Sequence, residues 1–260
     1  MELQSRYADI TRQGLALIAI SYDAPETLKK FADARGITFP LISDQGSAII
    51  KRYALLNDTV DPKSRTYGIP HPGTFIVDRK GVVRSRFFED AYQERYTAAT
   101  ILSTLGAGGT QTATADTRHL SMTASISDAI AAPGERLAIT VAVTPKSGMH
   151  LYAPGKHDYQ VVRLTVDPQP WLRLQATEYP PSQVYYFKPL DERVAVFMQP
   201  FRLRRDVTIL ATPEMQKLLA AQPSITITGA LEYQACDDKV CFNPTRVPIS
   251  FTVTMTGLAR

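Results

Sequence analysis

The chain has 260 residues, 44% of them apolar, and a formal charge of +4. That length holds two ordinary domains, each with apolar residues enough for a core. The basic residues are dispersed, with Arg202-Leu203-Arg204-Arg205 the one local cluster, which argues against a nucleic-acid partner. No apolar run reaches the roughly 18 to 20 residues that span a bilayer, and Met1-Glu2-Leu3-Gln4-Ser5-Arg6 has neither the basic start nor the apolar stretch of a signal peptide.

Leu3, Tyr7 and Ile10 fall at helical spacing and predict the end of an amphipathic helix over residues 1–13. Leu15 to Ser21 is a continuous apolar run, as in a parallel strand buried on both faces. Asp23-Ala24-Pro25-Glu26 starts a helix with proline in its first turn, and Gly36 stops it. A strand over Ile37 to Ile42, an Asp44 cap and a helix through Ile49, Ile50 and Tyr53 follow. Strands alternating with helices at this pace predict an α/β layer with a mostly parallel sheet. Phe75 to Val77 and Val82 to Arg86 flank an Arg-Lys-Gly turn, a hairpin signal, and Glu94 to Leu105 fits a closing helix.

The segment Gly68-Ile69-Pro70-His71-Pro72-Gly73-Thr74-Phe75-Ile76-Val77-Asp78-Arg79-Lys80-Gly81 resembles the peroxiredoxin and thioredoxin-like redoxin family (AhpC/TSA). The resemblance implies a thioredoxin-like α/β domain over residues 1–105 and makes Pro72 the candidate cis-proline beside an active site. In that family the nucleophilic cysteine lies early in the helix after the first core strand. Residues 1–103 contain no cysteine, so the expectation is a domain lacking its first strand and its nucleophile, with no peroxidase activity of its own: either Met1 is an internal methionine of a longer protein, the preferred reading, or the domain is a degenerate scaffold. His71 is expected to be a loop residue.

Gly106 to Asp116 is small, polar and glycine-rich, and predicts a flexible linker over residues 106–117. Beyond it the apolar period becomes two. His119 to Ile126, Arg136 to Val143, Val161 to Val166, Arg193 to Leu203, Ser224 to Tyr233 and Val247 to Thr254 read as strands, and Glu214 to Ala221 as a helix. Many short strands predict an all-β sandwich over residues 118–257.

The only two cysteines, Cys236 and Cys241, have four residues between them, in a loop with Asp237, Asp238 and Lys239. Such spacing suits a dithiol relay, whose second sulfur must reach a mixed disulfide on the first. Three other readings stay open: a structural bridge, which would be weak because the closed loop is short; a zinc site, although His71, His119, His150 and His157 have no finger-like spacing to the cysteines; and two unrelated buried thiols.

The run Tyr233-Gln234-Ala235-Cys236 through Cys241-Phe242-Asn243-Pro244, followed by Val247 to Val253, resembles the signature of the N-terminal periplasmic domain of the thiol:disulfide interchange protein DsbD. Ala235 stands for the family's glycine, and Phe242 and Asn243 for its tyrosine and first proline. The resemblance implies an immunoglobulin-like sandwich and an extracytoplasmic, periplasmic setting. It also implies redox exchange by Cys236 and Cys241 with thioredoxin-like partner proteins, without cofactor or metal. By the same resemblance Cys236 forms the mixed disulfide and Cys241 resolves it, Tyr152 at the end of Gly148-Met149-His150-Leu151-Tyr152 lies near the sulfurs, and Tyr185-Tyr186-Phe187-Lys188 corresponds to an aromatic cap loop. Asp237 and Asp238 are expected to raise a neighbouring thiol pKa and Lys239 to lower it.

Overall fold

The computed structural model describes residues 2–64, 66–88, 95–105, 109–187 and 191–257. The chain divides into two compact units, Met1–Leu105 and Gly106–Arg260.

In the first unit two short helices, α1 (Glu2–Ser5) and α2 (Tyr7–Arg12), precede β1 (Ala19–Ser21), α3 (Pro25–Arg35), β2 (Leu41–Ser43) and α4 (Ala48–Arg52). Pro25 occupies the first turn of α3, where its missing N–H has no intrahelical acceptor to lose, and Gly36 ends the helix at φ 60°, a conformation that costs a side-chain-bearing residue more. β1 and β2 pair in parallel, Ala19 opposite Leu41. The sequence predicts β1 as part of a strand buried on both faces. Instead Ile18 and Ile20 are 53% and 40% exposed, because among the described residues β2 is the one strand paired with β1. β3 (Gly73–Val77) and β4 (Val83–Phe88) form the expected antiparallel hairpin, its turn held by the Asp78 carboxylate, which accepts from the amides of Lys80 and Val82. After β5 (Arg95–Tyr96), α5 (Ala98–Ser103) closes the unit; Glu94, the predicted start of that helix, lies outside the described residues.

The second unit is β-rich. Its strands are β6 (Gln111–Asp116), β7 (Leu120–Ile126), β8 (Ile130–Ala131), β9 (Glu135–Pro145), β10 (His150–Tyr152), β11 (Arg163–Val166), β12 (Leu172–Glu178), β13 (Gln183–Phe187), β14 (Glu192–Phe197) and β15 (Phe201–Ile209). Then come α6 (Pro213–Ala221), β16 (Ser224–Tyr233), β17 (Ala235–Cys236) and β18 (Thr245–Met255). One sheet runs β12-β15-β9-β7-β6, a second β11-β16-β18-β8, and a third β13-β14-β10-β17. Alternation builds the core. Val247, Ile249, Phe251, Val253 and Met255 of β18 point inward with exposed Pro248, Ser250, Thr252 and Thr254 between them, and Leu120, Met122, Ala124 and Ile126 of β7 point inward from the first sheet. The two sets belong to a single apolar cluster with Trp171 and Met215, the latter on the inner face of α6.

Two expectations need correction. Gln111–Asp116, predicted as part of the linker, is an edge strand in full register with β7, from Gln111 opposite Ile126 to Asp116 opposite Ser121. Its Thr-Ala-Thr-Ala alternation sends Ala113 and Ala115 onto the core, and small side chains at period two satisfy a strand as well as they satisfy a linker. Residues 106–108 lie outside the described residues. The predicted strand Arg193 to Leu203 is two strands, broken over Met198 to Pro200, and its halves belong to different sheets. Proline at 200 removes a ladder donor there.

Candidate functional site

The third sheet brings the site together. β10 lies between β14 and β17, with Tyr152 opposite Val196, and His150 opposite Cys236. Successive residues of β10 face opposite ways, so Leu151 joins the main core while Tyr152 joins a separate small cluster with Cys236, Val194 and Val196. Tyr159 and Tyr185 pack against that cluster.

The cysteines sit at the two feet of a tight hairpin. The Phe242 amide donates to the Ala235 carbonyl at 2.9 Å and the Asp237 amide to the Val240 carbonyl at 3.0 Å. At the tip the Asp237 carboxylate accepts from the amides of Lys239 (2.8 Å) and Val240 (2.7 Å), which hold its carboxyl below the usual carboxylate range. Gln234 braces the base, its side-chain amide donating to the Phe242 carbonyl at 3.1 Å and its oxygen accepting from the Gln160 amide at 3.4 Å. Cys236 and Cys241 are joined in a disulfide with Cα atoms 4.0 Å apart.

The two sulfurs differ in access. Cys236 is 1% exposed, whereas Cys241 is exposed. The Tyr152 hydroxyl lies 3.3 Å from Cys236 Sγ and 3.4 Å from Cys241 Sγ. A disulfide has no S–H, so the phenol is the donor, its one hydrogen facing both sulfurs. Burial, with the carboxylate of Glu192 and the other tyrosines adding to it, pushes the Tyr152 phenol up to about 12, so it remains a donor throughout the neutral range. Tyr159 stacks on Tyr152 with ring centroids 4.2 Å apart and donates its own hydroxyl to Glu192 at 2.7 Å. A cavity of about 270 Å³ opens beside the disulfide, lined by both cysteines, His150, the tyrosines 152, 159 and 185, Phe187, Glu192, Val194, Asp237, Lys239 and Val240.

The sequence-predicted residues divide. Tyr152, Tyr185, Phe187, Asp237 and Lys239 reach the cavity. Tyr185-Tyr186-Phe187 is a strand and not a loop: Tyr185 and Phe187 face the cavity, while Tyr186 faces away, donating to Asp191 at 2.7 Å with Arg193 over its ring. Lys188 lies outside the described residues. Tyr233 is fully buried in the main core, its hydroxyl 3.0 Å from Thr117 Oγ1, and Phe242 packs on that same core, so both support the hairpin from behind. Asp238 is exposed at the tip. Pro72 is corrected: no described peptide bond is cis, and Pro72 is exposed, directly before β3. Without tertiary packing to impose cis, the trans X–Pro bond is favoured by about 0.5–1 kcal/mol. Sequence reasoning missed His150, Tyr159, Glu192 and Val194 as neighbours of the sulfurs. The alternation His150-Leu151-Tyr152 carried the signal for His150, since residues two apart in a strand share a face.

Removing the Tyr152 hydroxyl while keeping the ring isolates its role. Tyr152→Phe is expected to raise the pKa of the reduced cysteines and to slow disulfide exchange about tenfold, the equivalent of one charge-assisted hydrogen bond of about 1.5 kcal/mol. Stopped-flow exchange with dithiothreitol checks it; an unchanged rate would leave Tyr152 a packing residue.

The second unit thus holds a closed cysteine pair, one residue buried and the other exposed, beside an aromatic cavity. In the first unit, residues 1–86 match the AhpC/TSA family model. Alkyl hydroperoxide reductase E of Mycobacterium bovis is 34% identical over 85 residues, 32% of this chain and 51% of that protein. The thiol-disulfide oxidoreductase ResA of Halalkalibacterium halodurans is 32% identical over 82 residues, 31% of this chain and 39% of that one. The chain thus spans about half the length, or less, of the curated relatives it matches. The reduced N-terminal domain of DsbD from Neisseria meningitidis aligns at 14% identity with a TM-score of 0.32, over 45% of this chain and 78% of that one. Among the described residues no helix is long and apolar enough to cross a membrane, and no group of three or more His, Cys, Asp or Glu is placed to hold a metal ion.

Proposed function

We propose that the chain carries out thiol:disulfide exchange, with Cys236 and Cys241 cycling between disulfide and dithiol against thiols of thioredoxin-like partner proteins in an extracytoplasmic compartment. In this reading the second unit is an immunoglobulin-like sandwich of the DsbD N-terminal type, and the motif around the two cysteines supports that assignment. The observation that carries the proposal is the asymmetry of the pair: an exposed Cys241 bonded to a buried Cys236, whose sulfur has a hydrogen-bond donor at 3.3 Å. Exposure makes Cys241 the sulfur that a partner thiolate attacks and Cys236 the one that leaves, the reverse of the order expected from the sequence motif. The closed disulfide carries no thiolate of its own, so the thiolate that attacks it is the partner's.

Redox titration of the protein, followed by thiol labelling and mass, tests the proposal. A reversible midpoint above about −300 mV is the expected result, because structural disulfides lie below that value. A pair that stays oxidised well below it would make the disulfide a permanent fixture and the chain a binding or structural protein. A second reading rests on the AhpC/TSA match of residues 1–86: the β-rich unit is the electron donor for a redoxin-type peroxidase. It requires a peroxidatic cysteine, and residues 1–105 hold none. Hydrogen peroxide consumption by the dithiol form after adding a cysteine-bearing thiol peroxidase of that family would favour it.

A further inference from the structure

His150 is a buried titratable group that the exchange scheme leaves unused. It is 4% exposed and sits directly across the antiparallel ladder from Cys236. Opposed residues in such a pair put their side chains on the same face with Cβ atoms about 4.5–5.5 Å apart, within reach of an imidazole and a sulfur. The ring lies against Tyr185 (centroids 4.7 Å) and edge-on to Tyr152 (5.6 Å), and it lines the cavity with both cysteines. Aromatic packing on two sides fixes its position.

The charged and titratable groups around it are Asp237 and Lys239 of the hairpin, Tyr152 of its own strand, Tyr185 of β13, Glu192 of β14 and Tyr159. Burial holds the imidazole below its ordinary pKa, and the Asp237 carboxylate pulls the other way. The ring is therefore neutral near pH 7 and available as a base, with an anion nearby to support the imidazolium once formed.

Resting on the exchange reading above, we infer that His150 is the acid–base partner of Cys236. When a partner protein is held on Cys241 as a mixed disulfide, His150 takes the thiol proton of Cys236. The Cys236 thiolate attacks Cys241 Sγ, the Cys236–Cys241 bond forms, the bond to the partner breaks, and the partner leaves with the electron pair as a thiolate. The imidazolium then returns its proton to that thiolate or to solvent. In the opposite direction the partner thiolate displaces Cys236, and the departing thiolate receives its proton through the same ring. The thiol of a buried cysteine needs this help because burial in apolar surroundings raises its pKa.

Reduced protein charged with glutathione on Cys241 and followed by acid quench and mass gives the rate of ring closure between pH 5 and 9. For the unaltered chain the rate is expected to rise with pH and bend near the imidazole pKa, below 6.5. His150→Gln is expected to close about tenfold more slowly at pH 7 and to lose the bend, an effect smaller than most general-base contributions because a thiol also ionises unaided. The same rate and profile in both would overturn the inference, whereas a chain that neither accepts nor releases glutathione would overturn the exchange reading itself. Should His150→Gln not fold, the imidazole titration by NMR in the oxidised and reduced forms of the unaltered chain decides: a pKa that moves with the redox state supports the pairing, and an unmoved one ends it.

Discussion

In Cys236→Ser the remaining thiol at Cys241 is expected to react with maleimide as fast as an open surface cysteine, while in Cys241→Ser the remaining thiol at Cys236 is expected to react about 100-fold more slowly. The difference follows from their exposure: a residue 1% exposed is reached only through local opening, and opening is rare for a position held in a ladder on one side and an aromatic cluster on the other. The same pair of variants separates the chemical roles. Cys236→Ser keeps the attacked sulfur and loses the resolving one, so it is expected to accumulate a mixed disulfide with a thioredoxin-like partner. Cys241→Ser is expected to accumulate none. Mass spectrometry of alkylation time courses reads both effects. Equal alkylation rates would remove the basis for assigning Cys241 as the entry sulfur.

Phe251→Ala is expected to cost the β-rich unit about 3–5 kcal/mol, the usual range for deleting a buried aromatic ring. Phe251 is 2% exposed at the middle of β18, opposite Ile227 of β16. Trp171 is the single tryptophan of the chain and belongs to the same core, so urea unfolding followed by its fluorescence reports this unit. Reducing the disulfide should cost less, about 2 kcal/mol on the chain-entropy account, because the closed loop holds so few residues. A reversal of that order would mean that the cysteine pair is a staple and that the core is loosely packed.

The strands that dominate the core were legible because one face of each is apolar and the other polar: Ser224–Tyr233 was read to the residue, and β7, β9 and β18 to within two residues. The strands that build the site were harder to see. β13 carries apolar or aromatic residues at Val184, Tyr185, Tyr186 and Phe187 in succession, so no alternation marks which of them face the cysteines. β17 is two residues long and is defined by its partner across the ladder, a contact that no local pattern encodes. The cysteines stand out by their number and spacing, and motif resemblance adds their role and Tyr152. Glu192 and Tyr159 were not, because their place beside Tyr152 depends on a hydrogen bond and a ring stack between residues 33 and 7 positions apart. Pro72 failed for a related reason, since the geometry of a proline bond is set by what packs around it.

In the exchange proposed above, the hairpin limits which molecules can use it. Displacement at a disulfide sulfur proceeds in line, the incoming sulfur arriving opposite the one that departs. With Cys236 seated inside and Cys241 outside, that line runs from solvent inward, so the angle of approach is set before any partner arrives. A flat surface bearing a recessed thiol cannot meet it; a protruding loop or helix end with the thiol at its tip can. Selectivity among thiols is then a matter of trajectory, decided by the shape of the visitor before its affinity.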